Sequence, residues 1–287
     1  MGYTSYNDTS RLFRATSLGY ETKSVDQIFT QSKERVIHES MSPKGVILRE
    51  SNDSDAHPNT VPIVLSLDVT GSMGKIPHQL VKDGLPKLMS GLIQKGVTDA
   101  SLLFVAVGDH ECDRHPLQVG QFESGDEELD MWLTRTYLEG GGGGNMGESY
   151  FLAHYFAARH TRLDSYDKRK VKGFLFTVGD EPFLKTIPAS AIREIMGDDV
   201  QIQGSINYDE ILKECQEKYN VYHLHVLHSE QSKRSIGDWK QILGENCIGV
   251  GDYREIPNII SQIVIDNVEK QTNNPQIISE KPIEVIL

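Results

Sequence analysis

The sequence predicts an open α/β sheet with helices on both of its faces. Two observations lead there. Nearly unbroken apolar, β-branched runs of strand length recur along the chain, as strands buried on both faces require. Segments with apolar residues three or four apart lie between them, and strands that alternate with helices indicate a mostly parallel sheet. A third observation locates the chemistry: polar clusters follow the ends of these runs, where open α/β sheets bind their ligands.

Residues 1 to about 58 are polar and weakly periodic, with short apolar groups (VDQIF, KGVILRE) that predict a helix and a strand packed on the main body. VPIVLSLDV (61–69) reads as a central strand. A helix follows, in which Leu80, Val81, Leu85, Leu88, Met89 and Leu92 share a face. ASLLFVAVGD (100–109) is a second buried strand, and PLQVGQF (116–122) pairs with it across a charged loop. An acidic helix (about 126–138), five glycines (Gly140–Gly144) and the helical ESYFLAHYFAARH come next. GFLFTVGDE (173–181) is a third apolar strand. After the helix YDEILKECQEK (208–218) come the strands VYHLHVL (221–227) and CIGVG (247–251), then the amphipathic helix IPNIISQIVIDNV (256–268). The last residues read as an extended tail.

Composition narrows the function classes. The 287 residues carry 29 Lys and Arg against 41 Asp and Glu, a formal net charge of −12. That excludes a broad nucleic-acid surface, which needs clustered cations to neutralise phosphates. The cysteines, Cys112, Cys215 and Cys247, are odd in number and lack CxxC spacing, so neither a disulfide framework nor a cysteine zinc site is expected. No run approaches the ~18 apolar residues of a membrane span. The N-terminal residues lack the apolar core of a signal peptide. The expectation is a cytoplasmic protein.

Three polar sites fall at strand ends or between strands: Asp68-Val69-Thr70-Gly71-Ser72, Asn145-Met146-Gly147-Glu148-Ser149, and Gly179-Asp180-Glu181. In a doubly wound sheet they converge at the point where the strand order reverses. A strand-to-helix turn can aim Asp68, Thr70 and Ser72 at one centre. A carboxylate and two hydroxyls suit a hard divalent cation, Mg²⁺ first, with Mn²⁺ or Ca²⁺ as alternatives. A helix cap would need only one of these oxygens. If the hydroxyls bind directly and the carboxylates act through water, the ion keeps enough charge to take an acidic side chain from another molecule.

At these residues the chain resembles a von Willebrand factor A (vWA) domain, whose metal-ion-dependent adhesion site is written D-x-S-x-S with a threonine and an aspartate supplied later. DVTGSM matches the first part with Thr70 in place of the first serine, and Asp180 matches the later aspartate. In the loop EGGGGGNMGES, Asn145 stands where the family has its threonine, with Ser149 or Glu148 as alternatives. The resemblance implies a doubly wound, mostly parallel six-stranded sheet flanked by helices over residues 59–269, with an N-terminal extension (1–58) and a C-terminal tail (270–287). It implies protein binding without catalysis, and an adaptor or assembly role of the intracellular bacterial or phage kind. The implied partner presents an Asp or Glu, as a MoxR-type AAA+ ATPase would.

The alternatives are a metal-dependent hydrolase using Glu148 or Glu181 as base, and an assembly subunit with a purely stabilising metal. No phosphate loop is present: neither the glycine run nor Gly74-Lys75-Ile76 completes GxxxxGK[ST]. The glycines read instead as a pliable loop that lets Asn145 approach the ion. Asp109, His110, Cys112, Asp113 and His115 fit no standard zinc spacing. They are expected to form a solvated loop, with Asp109 acting behind the ligands. His223 and His225 share one strand face and read as satisfied sheet histidines. The DEELD segment (126–130) reads as a solvated helix start.

Overall fold

The protein is described by a computed structural model covering residues 4–71, 73–140, 147–197, 202 and 204–273. The six apolar runs form one sheet: Val61–Asp68 (β1), Ala100–Val107 (β2), Leu117–Val119 (β3), Gly173–Gly179 (β4), Tyr219–Val226 (β5) and Cys247–Val250 (β6). Their order across the sheet is β6-β5-β4-β1-β2-β3. Every neighbouring pair is parallel except β2 with β3, which are antiparallel. The order therefore reverses between β1 and β4, which places the ends of those two strands at the crevice.

Alternation along each strand sorts the side chains into two cores. Ile63, Leu65 and Leu67 of β1 join Leu102, Phe104, Phe174 and Phe176 on one face. The helices Leu85–Gln94 (α2) and Ile256–Asn273 (α7) cover that face. On the opposite face Val64, Leu103, Val105 and Leu175 pack against three helices, Phe151–Arg159 (α4), Tyr208–Lys218 (α5) and Glu230–Leu243 (α6). Asp68 has the parity of Val64, so it lies on the α4 side. Gly84 lies where α2 and α7 approach: a Cβ there would stand 3.2 Å from Pro257 Cγ and 2.9 Å from Leu80 Cδ2.

The N-terminal residues are built into the first core. Ala15 of Asp8–Leu18 (α1), together with Tyr20, Ile28, Phe29 and Met41, belongs to the same apolar cluster as β1 and α2. The expected helix near VDQIF is Val25–Ile28. The strand expected in KGVILRE is Arg49–Ser51, paired with Thr161–Leu163 outside the main sheet. Of the apolar residues before it, Val46 packs on the second core whereas Ile47 is 85% exposed.

The acidic helix is Asp126–Thr134 (α3), and here the structure corrects the sequence reading. DEELD is not a solvated face, because Asp126 and Asp130 are buried beneath α1. Arg11 Nε donates to Asp130 Oδ1 at 3.0 Å, and Arg14 Nε to Asp130 Oδ2 at 3.1 Å. Arg14 Nη2 reaches Asp126 Oδ2 at 2.6 Å. The Arg11 guanidinium also donates to the Val81 carbonyl, inside a π-type turn (Leu80–Gly84) that runs into α2. One arginine thus joins three elements. Removing one partner of a buried pair leaves a charge without compensation, at a cost of about 3 kcal/mol. Arg11→Ala is expected to lower unfolding stability by about that amount in urea titration. A loss below about 0.5 kcal/mol would mean that the clamp contributes little.

Candidate metal-binding site

The end of β1 organises the site. Asp68 is buried, and its Oδ1 accepts from the Thr70 amide at 2.9 Å and from the Thr70 hydroxyl at 2.6 Å. This side-chain turn is a local consequence of an aspartate two residues before a hydroxyl. Asp68 Oδ2 accepts from the Tyr150 hydroxyl at 2.7 Å. Tyr150 in turn accepts from the Glu181 amide at 3.4 Å, just past β4, and so spans the reversal point. Gly179 makes room for it: a Cβ there would lie 2.0 Å from the Tyr150 oxygen.

Asp180 follows β4, buried, with its Oδ2 3.1 Å from His228 Nε2. Glu148 is held in a parallel bridge with Phe183: its amide donates to Pro182 O, and its carbonyl accepts from the Leu184 amide, both at 2.9 Å. Its Oε2 is buried without a hydrogen-bond partner, as is Asp109 Oδ2. Ser149 Oγ accepts from the His110 amide at 2.9 Å and lies 2.7 Å from His110 Nδ1. That contact ties the Asp109–His115 loop to the rest of the site. The loop is only partly solvated, because Asp109 is 1% exposed.

Of the sequence-predicted residues, Asp68 and Thr70 come together directly, and Tyr150 links Asp68 to the backbone beside Asp180. Glu148 and Asp109 act on the same region through charge. Ser149 turns to His110. Ser72 and Asn145 lie outside the described residues, as does the glycine run beyond Gly140. Tyr150 was not singled out in the sequence. Nothing in the spacing of ESYFLAHYF separates it from the other aromatic residues of the helix it leads into.

Two carboxyls at the site are pushed upward. Burial pushes the Asp68 carboxyl up to about 7; the hydrogen bonds from Thr70 and Tyr150 oppose the shift and Asp180 adds to it. Burial, then the charges of Asp68, Asp113, Asp109 and Glu181, push Glu148 up to about 9. Neither carboxyl pairs with a lysine or arginine among the described residues. The unpartnered buried oxygens of Glu148 and Asp109, with carboxyls crowded around them, fit a cation. Yet no three His, Cys, Asp or Glu among the described residues stand close enough to hold one by themselves. The fit therefore depends on hydroxyl donors.

The strand histidines are satisfied as expected. His223 Nδ1 lies 2.8 Å from the Thr177 hydroxyl and His223 Nε2 3.0 Å from His225 Nδ1, and His225 Nε2 meets the Ser232 carbonyl at 2.8 Å. The His223 ring stacks on Trp239 at 3.7 Å.

Two predictions follow from this packing. Tyr150→Phe strands a buried carboxylate oxygen and should cost about 1–3 kcal/mol in chemical denaturation; an unchanged midpoint would show that Asp68 is not anchored there. His154 is fully buried with Nε2 unpartnered, and burial pushes it down to about 4 from 6.5. The unfolded chain then binds the proton first, so this contribution is full above pH 6.5 and is lost as pH falls through about 4. His154→Leu should flatten that acid limb of the stability curve relative to the parent. Parallel curves would refute the assignment.

Neither family profiles nor curated proteins match the sequence. Solved structures do. The pilus adhesin SpaC of Lactobacillus rhamnosus GG aligns with 78% of this chain at 11% identity and a TM-score of 0.50, and this chain spans 32% of SpaC. The vWF domain of the type V pilus tip protein Mfa5 of Porphyromonas gingivalis aligns with 79% of this chain and 99% of its own, at 10% identity and a TM-score of 0.43. Proximal thread matrix protein 1 of the mussel byssus, with a zinc-occupied MIDAS motif, aligns with 73% of this chain and 48% of its own, at 12% identity and a TM-score of 0.42. With its strand order reversing between β1 and β4, an antiparallel edge at β3 and an Asp-x-Thr turn at the reversal, this chain has the fold of a von Willebrand factor A domain.

Proposed function

We propose that the chain is a metal-dependent protein-binding module, an adaptor or assembly component. The hydroxyls of Thr70 and Ser72 hold a divalent cation, with Mg²⁺ first and Mn²⁺ or Ca²⁺ as alternatives. Asp68 and Asp180 support it through water, and Asn145 completes the set. The observation that carries this reading is the direction of one hydrogen bond. Thr70, one of the residues lining the cleft, donates its hydroxyl proton to Asp68 at 2.6 Å, so its oxygen has only lone pairs left to offer. Asp68, already accepting three hydrogen bonds, orients that oxygen more readily than it binds an ion itself. When bound, the cation would supply an open coordination position for a carboxylate. This chain's residues aim the hydroxyl and hold the turn rigid. The partner we propose presents an Asp or Glu, an AAA+ ATPase of the MoxR type being one such class, in the cytoplasm of a bacterial or phage-infected cell.

Calorimetric titration of Mg²⁺ and Mn²⁺ into the parent, Thr70→Ala and Ser72→Ala tests the ligand set. Both variants should keep their circular dichroism and bind at least about tenfold more weakly. Equal affinity in all three proteins would remove the hydroxyls from the site.

A further inference from the structure

A cavity of about 670 Å³ opens beside Thr70, and the N-terminal segment forms one of its walls through Val25, Ser32 and Arg35. The lining also includes Lys75, from the helix that follows the Thr70 turn, and Arg114, from the loop between β2 and β3. Arg35, Lys75 and Arg114 are all exposed, in a chain whose net charge is −12. None of them forms an ion pair among the described residues. The acids on the same walls are differently placed. Asp113 and Glu139 are half-buried and accept from the backbone amides of Asp109, at 2.7 Å, and His115, at 2.6 Å. Asp26 is the exposed carboxylate. Among the described lining residues, then, the exposed charges are three cations and one carboxylate, with Asp113 and Glu139 half-buried beside them.

The wall is also held in place. Arg114 Nη1 donates to the Arg35 carbonyl at 3.2 Å, and Ser32 Oγ accepts from the Leu138 amide at 2.7 Å. Arg35 itself ends a short helix in the left-handed region at φ 55°, which turns its carbonyl toward Arg114.

From this arrangement we infer that the N-terminal segment is a specificity element: with Lys75 and Arg114, Arg35 selects an acidic peptide segment of a partner protein, reading carboxylates that flank the one bound beside Thr70. The inference rests on the proposed function, but it makes a separate demand. A single carboxylate suffices for the cation, whereas the rim requires several. Rim charges of this kind act mainly on association and salt dependence.

The test uses the full chain and a fluorescein-labelled Asp-Gly repeat peptide, read by anisotropy in Mg²⁺ at two ionic strengths. The Asn-Gly repeat and a single-stranded oligonucleotide serve as comparison probes. The parent should bind the Asp-Gly peptide, and more weakly in high salt. Arg35→Glu with Lys75→Glu should weaken it about tenfold and flatten the salt dependence, with Mg²⁺ affinity by calorimetry not reduced. A double variant that binds like the parent overturns the inference, and if EDTA still abolishes binding the metal reading survives it. Oligonucleotide binding equal to that of the peptide also overturns it, because the rim would then recognise any polyanion. Binding that depends on the rim but is unaffected by Thr70→Ala and EDTA would keep the acidic-segment cleft and discard the metal.

Discussion

Everything at the crevice depends on one buried carboxylate with both oxygens engaged. Asp68 ends the central strand, where the sheet reverses its order. One oxygen folds the following turn through Thr70, and the other captures Tyr150, 82 positions further on. Tyr150 then reaches the backbone after β4. The two halves of the doubly wound sheet are thereby joined by side-chain hydrogen bonds across the place where a ligand would sit. In a site excluded from water such bonds hold geometry firmly, and an unmet partner is costly.

That rigidity accompanies electrostatic frustration. The charges of Asp68, Asp109 and Asp113 all act on Glu148, in a region that burial already makes unfavourable for charge. Among the described residues no lysine or arginine pairs with Asp68 or Glu148, and Arg35, Lys75 and Arg114 stand at the cleft rim instead. An acidic interior behind a basic rim is a coherent arrangement for a positive ion below and a carboxylate-bearing segment above, since each zone attracts the charge the other does not.

The N-terminal segment shows how a polar stretch becomes part of a fold. It has few apolar residues, yet Arg11 and Arg14 lock onto Asp126 and Asp130 across more than a hundred positions. Ala15, Tyr20 and Phe29 close over the first core. Its placement decides the shape of the cleft wall, which no vWA-like pattern within β1 to α7 would supply.

By itself the sequence determined the layers, the six strands and the Asp-x-Thr turn, because each rests on local signals. Buried strands must be apolar, helices must repeat every three or four residues, and Asp68 bonds a residue two positions away. Helix α6 escaped notice because its buried positions, Ser232, Trp239 and Leu243, are too sparse to form an apolar stripe. The tertiary structure alone decided that Tyr150 holds Asp68, that Gly179 must lack a side chain, and that the acids of α3 are an interior anchor for α1. It also decided that Arg35 belongs to the cleft. These are pairings between distant residues, set by which surfaces the topology brings together, and a linear pattern carries no record of that proximity.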